Sequence, residues 1–164
     1  MKRVLVIIDM QTGKGGFGPA RCEVTQFEIV KQINLARKKG WEIVVVEMCW
    51  CGPTTEFIRS ALVGYYYETV TKVIDSGGAE VLEVNSNGDI YRLVGVNTYA
   101  CVMRTGIDLA NAGKSVEIWF PACNDWKGRG VNENSLRLML EKDNLDELPP
   151  NLKQCVTREQ LVAV

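Results

Sequence analysis

The chain has 164 residues, 46% of them hydrophobic and 24% charged, with a formal net charge of −1. That length accommodates one domain with a substantial core, and the composition sets aside disordered and collagen-like classes. The Lys and Arg residues are scattered, which gives no electrostatic footprint for nucleic acid or an anionic membrane, so the expected partner is a small molecule.

Taken in chain order, Arg3 to Asp9 (RVLVIID) is a β-branched run ending in an acid, the pattern of a buried parallel strand. Apolar residues at Phe27, Val30, Ile33 and Ala36, basic residues near Lys39 and a following Gly40 predict a helix over Val24–Lys39. Trp41–Met48 repeats the strand pattern, and Pro53 opens a helix through Phe57 and Leu62. Glu68–Ile74 alternates like a short strand; Gly77 and Gly78 break it, and Ala79–Val84 fits a helical turn. Ile90–Val96 reads as a fourth strand, Thr98–Ala112 as a helix stopped by Gly113, and Ser115–Phe120 as a fifth strand. One further helix includes Leu136–Leu140. Pro149-Pro150 falls in a C-terminal tail, residues 145–164, where Thr157 and Gln160 have capping-box spacing and predict a small helix over Thr157–Val164.

Repeated strand-helix units with short connections require a mainly parallel sheet covered on both faces. The expectation is a single α/β domain over 1–164, a three-layer α/β/α sandwich with a Rossmann-like central sheet. No apolar run approaches the roughly 18 residues of a membrane span, and the chain begins in a strand-like segment instead of a signal peptide, so a cytoplasmic location is expected. In that setting the six cysteines are expected as reduced thiols.

The absence of histidine removes the Ser-His and Cys-His pairs and the commonest metal ligand. Any base must be a carboxylate, a lysine or a thiolate. Open α/β sheets bind ligands beyond the carboxyl ends of their strands, and three residues at such places combine chemically. Asp9 ends the first strand, Lys72 lies in the third, and Cys101 lies in the first turn after the fourth. With Thr98 as N-cap, Cys101 takes the third helical position, where free N–H groups and the helix dipole favour a thiolate. A nearby ammonium would lower the thiol further, a carboxylate could take its proton, and the tight strand-turn-helix GVNTYAC could hold an oxyanion on its N–H groups. The plain alternatives are a core cysteine and a structural strand-end acid.

The segment LVGVNTYACVMRTGIDLANAGKSVEI resembles the nucleophile region of the isochorismatase-like cysteine hydrolases, which include nicotinamidases, carbamoylsarcosine amidases and ureidoacrylate hydrolases. VLVIIDMQ is similar to that family's first strand and TVTK to its lysine strand, in the family's order, over roughly Lys2–Phe120. The resemblance implies an Asp9-Lys72-Cys101 triad that hydrolyses a non-peptide C–N bond, amide or ureido, through an acyl-enzyme, in a homo-oligomer. It also implies a cis peptide at Val96-Asn97, with the Asn97 N–H beside that of Cys101 in the oxyanion hole.

Departures from the pattern bear on the substrate. Nicotinamidases hold a metal on an Asp and two His after the second strand; Glu47-Met48-Cys49-Trp50-Cys51 stands there, which weakens that reading, and neither metal nor other cofactor is expected. Gln11 fits the family, but TGKGGFG leaves Phe17 as the one nearby aromatic, so Gln11, Phe17 and Trp50 are the candidate pocket residues. The short SGGAE after Lys72 suggests a more open or altered pocket. Two rival functions are a catalytically silent binding protein and a thiol-redox role pairing Cys101 with Cys49 or Cys51.

Weaker signals have plainer readings. The loop Thr12–Gly18, with Lys14, lacks the spacing of a phosphate-binding loop and reads as a pocket rim. Cys49 and Cys51 with Cys22 and Cys123 would be an unusual thiolate metal set. Asp125, Trp126, Lys127 and Arg129 follow the fifth strand at the ligand-binding edge, where a solvated loop is the alternative, and Tyr65-Tyr66-Tyr67 could mark an interface.

Overall fold

The β-branched runs pair with one another because each is too apolar to face water on either side. The computed structural model describes residues 1–13, 18–126 and 132–155. Its strands are β1 (Arg3–Ile8), β2 (Glu42–Met48), β3 (Glu68–Lys72), β4 (Ile90–Val96), β5 (Ser115–Asn124) and β6 (Leu152–Cys155). They form one sheet in the order β3-β2-β1-β4-β5-β6, with every pairing parallel. Five helices cover it: α1 (Glu23–Lys39), α2 (Glu56–Leu62), α3 (Gly78–Val84), α4 (Met103–Asn111) and α5 (Glu133–Lys142). The architecture is the expected three-layer α/β/α sandwich.

The period-two geometry of a strand divides the apolar side chains between two cores. Val4, Val6 and Ile8 of β1 join Val81 of α3, Met103 and Ile107 of α4 and Met139 of α5 on one face. Leu5 and Ile7 join Ile29 and Ile33 of α1 and Ile58 and Leu62 of α2 on the other. Each of these side chains contributes roughly 1.5–3 kcal/mol by leaving water. The buried stripe of α1 is Ile29, Ile33 and Ala36, so Phe27, expected on that stripe, faces outward instead. Its ring packs edge-on against Phe57 at a centroid distance of 5.1 Å. Gly40 ends α1 at φ 66°, donating its N–H to carbonyls of the last turn, as its place in the sequence predicts.

The later chain differs from expectation in extent. β5 runs past Phe120 through Pro121 to Asn124, because a register shift against β4 between Leu93 and Gly95 lets the extra residues pass. The helix expected around Leu136–Leu140 starts earlier, where the Asn132 side chain accepts the Ser135 N–H at 2.9 Å. The segment set apart as a tail supplies β6, whose Leu152 pairs with Val116 on the outer edge of β5. Four residues with one buried apolar side chain carry too little alternation to announce a strand. The helix expected over Thr157–Val164 lies outside the described residues.

From β1 the sheet grows one way through β2 and β3, and after α3 it continues from the other side of β1 with β4. The carboxyl ends of β1 and β4 therefore flank a topological switch, the place where open parallel sheets form a crevice.

Candidate active site

Asp9 follows β1 directly with φ 53°, a left-handed conformation that Asp tolerates better than most residues. Its N–H donates to the Val46 carbonyl at 2.9 Å, and its carbonyl accepts the Gln11 N–H at 2.8 Å, so the turn is fixed from both sides. Lys72 is the last residue of β3, in register with Met48. Its ammonium lies 2.9 Å from Asp9 Oδ2, both side chains being 0% exposed. Nζ approaches that oxygen at ion-pair distance without hydrogen-bond alignment, and donates instead to the Asp75 carbonyl at 2.6 Å.

Cys101 comes from the other side of the switch. Gly95 adopts φ 121°, and any Cβ there would overlap the Ile8 carbonyl oxygen, so glycine is what permits β4 to pass β1 at this point. The Val96-Asn97 peptide is cis, as expected. A wide turn over Thr98–Val102 follows, in which Val102 and Met103 donate to the carbonyls of Asn97 and Thr98, and α4 continues from it. Asn97 takes the N-cap position expected for Thr98, without a side-chain cap. Cys101 is 2% exposed, with its thiol against the Asp9 carboxylate.

Burial dominates the electrostatics. It pushes the Asp9 carboxyl above its ordinary range, opposed chiefly by the Lys72 charge and further by the adjacent Cys101 thiol. It pushes the Cys101 thiol up to about 12, reinforced by the Asp9 charge and opposed by Lys72. One cation thus stands against two buried acidic groups, and burial opposes the thiolate that the helix start favours: a helix start supplies at most about 2 kcal/mol, whereas sealing a charge from water shifts a pKa by up to about 3–5 units.

The other candidate residues are distributed differently. Gln11 is buried, its amide donating to the carbonyls of Met48 and Gly52 and accepting the Met48 N–H at 2.8 Å, so its polar atoms are spent inside the protein and not on a pocket. Trp50 is 62% exposed. Phe17, Lys127 and Arg129 lie outside the described residues. The glycines of SGGAE pack tightly against β2, β3 and α4. A Cβ on Gly77 would come 2.7 Å from Val46 Cγ1 and 3.3 Å from Lys72 Cδ, and one on Gly78 2.6 Å from Asp108 Cβ. The six cysteines form no disulfide, and among the described residues no cluster of metal-binding side chains occurs. Cys51 is buried and feels the charges of Asp9 and Lys72, with burial pushing its thiol upward, while Cys49 is exposed. The tyrosine cluster splits: Tyr65 and Tyr67 pack against the α1 face, and Tyr66 is exposed.

A cavity of about 300 Å³ opens beside the elbow, lined by Asp75, Asn97, Tyr99, Arg104, Asp125 and Trp126 among others. Asp125 and Trp126 thus reach the ligand-binding edge. The sequence marks Arg104 only by its place three residues after Cys101, as Asp75 stands three after Lys72.

The sequence matches no protein-family model and no curated protein. Solved structures do match. The MAR1 ribonuclease of Caenorhabditis elegans superposes with a TM-score of 0.69 at 16% identity, over 87% of this chain and 72% of that one. The nicotinamidase of Staphylococcus aureus gives 0.64 at 17%, over 95% and 99%. The N-carbamoylsarcosine amidase of Thermoplasma acidophilum gives 0.64 at 18%, over 90% and 99%. The chain has the fold of the isochorismatase-like hydrolases.

Proposed function

We propose that the chain is a cysteine hydrolase of a small-molecule non-peptide C–N bond, amide or ureido, with Cys101 as nucleophile, Asp9 as proton carrier and Lys72 as the fixed positive charge. The observation that carries this reading is the convergence of an acid from β1, a lysine from β3 and a thiol from the β4 elbow in one sealed site, with the ion pair at 2.9 Å. Replacing a buried carboxylate and ammonium by apolar residues is often neutral or stabilising, so their presence beside a thiol points to chemistry and not to stability.

As Sγ adds to the substrate carbonyl carbon, its proton passes to Asp9, and the new oxyanion is held by N–H groups of the elbow at Asn97 and Cys101. Collapse breaks the C–N bond, Asp9 returns the proton to the departing nitrogen, and a thioester remains on Cys101. Water then adds to the thioester while Asp9 takes its proton. The C–S bond breaks, the acid leaves and the thiol is restored. Lys72 holds Asp9 in its charged form within a site that would otherwise neutralise it. Two of the structural neighbours, a nicotinamidase and an N-carbamoylsarcosine amidase, are amidases, which agrees with this chemistry, and the fold likeness supports it at the level of hydrolase.

The test is acylation by an activated ester, followed by a panel of small carboxamides and N-carbamoyl compounds with ammonia release as the readout. A mass increment confined to Cys101, lost in C101S and slowed in D9N, is the expected result. Absence of both acylation and turnover in the wild-type protein would leave the silent binding protein as the reading, with the sealed triad as its structural basis.

A further inference from the structure

Lys72 is held by a carbonyl, and the residue owning that carbonyl is itself held. Its Nζ donates to the backbone oxygen of Asp75, and the Asp75 carboxylate pairs with the Arg104 guanidinium. Arg104 Nε and Nη2 donate to the two oxygens of Asp143 at 2.8 and 2.7 Å, a bidentate grip on the residue that caps the C-terminus of α5. Neighbouring positions of α4 complete the clasp. Thr105 Oγ1 accepts the Gly77 N–H at 2.9 Å, and Asp108 accepts the Ser76 hydroxyl at 2.5 Å. The loop that aims Lys72 is therefore fastened to the helix that continues directly from the Cys101 turn.

We infer that Arg104 is a positioning residue for the triad, locking the Asp75 loop to α4 and α5 so that Lys72 stays on Asp9 beside Cys101. The inference rests on the triad reading proposed above, since it assigns Arg104 no contact with the reacting atoms. Two physical consequences of removing the guanidinium act in one direction. The loop loses its anchor, which lets Lys72 drift from Asp9, and the Asp75 carboxylate loses its counter-charge. The charged or titrating groups bearing on Cys101 are Asp9, Lys72, Asp75 and Arg104, with Cys51 beside Asp9 and Lys72. Asp75 raises the Cys101 thiol and Lys72 lowers it, so both consequences reduce the thiolate fraction.

A purely structural tie predicts the opposite sign. Loosening a sealed site exposes Cys101 and speeds its modification. The experiment is iodoacetamide alkylation of Cys101, followed peptide by peptide against exposed Cys49, in wild type, R104Q, R104K, D143N and K72M, with thermal unfolding alongside. R104Q is expected to slow Cys101 about tenfold at neutral pH, the effect of roughly one pKa unit, in the direction of K72M, with partial recovery in R104K. D143N, which leaves the Asp75 pair in place, is expected to slow it roughly threefold and serves if R104Q does not fold. Unchanged or faster alkylation in these variants overturns the proposal. A slowing of Cys101 in a protein that hydrolyses nothing would keep the positioning role and sink the hydrolase reading instead.

Discussion

Lys72→Met isolates the central ion pair, because methionine keeps most of the aliphatic stem that packs under Gly77 while deleting the ammonium 2.9 Å from Asp9. Breaking a buried pair by removing one partner typically destabilises by about 3–5 kcal/mol. Here Asp9 can escape part of that cost by taking a proton. Its carboxyl is already raised by burial, and loss of the cation raises it further. A carboxyl with a raised folded-state pKa contributes stability that is complete below the unfolded value of about 3.9 and is lost as pH rises through the folded value. The penalty of K72M should therefore be small near pH 4 and grow to about 3 kcal/mol at neutral pH, the lower end of the range for a broken buried pair. In a chain of this length that lowers Tm by roughly 6–12 °C. Urea unfolding of wild type, K72M, D9N and D9N/K72M at acid and neutral pH measures it. The double variant should recover most of the loss at neutral pH, since both charges are gone. A K72M penalty that is independent of pH, or a double-mutant cycle that is additive, would refute the argument.

Activity should follow the ionisation of Asp9. The competent form needs Asp9 ionised and Cys101 protonated, so the rate should rise with pH through the raised Asp9 value and hold its plateau well into the alkaline range, because the thiol sits at about 12; a bell centred near neutrality would contradict this. Gly77→Ala should slow Cys101 alkylation and ester acylation by displacing the Lys72 stem, with C101S as the zero. Gln11→Ala should cost about 1–3 kcal/mol in urea unfolding by orphaning the Met48 and Gly52 backbone groups. A change in KM with unaltered stability would instead return Gln11 to the substrate pocket. Gly95→Ala should lower stability by about 3 kcal/mol or more, because the clash is with backbone and the φ is positive; normal unfolding would show that β4 can shift.

What the sequence determined by itself follows from local physics. β-branched runs of strand length, interrupted by a periodic segment closed at Gly40, can hardly be anything but a parallel α/β sheet, and the order of Asp9, Lys72 and Cys101 along it placed all three at the ligand-binding edge. The wide turn at Thr98–Val102, the early start of α5 and the strand Leu152–Cys155 were not legible, since each depends on a partner: the Asn97 and Thr98 carbonyls, the Asn132 cap and the free edge of β5. Tertiary structure also decided the roles of single residues. Gln11 became an internal clip, the glycines of SGGAE a close-packing point under the Lys72 stem, and Arg104 a fastening between α4, α5 and the Lys72 loop. Above all it decided the burial of the site, because a sequence shows which charges are near one another along the chain but not how far water is kept from them.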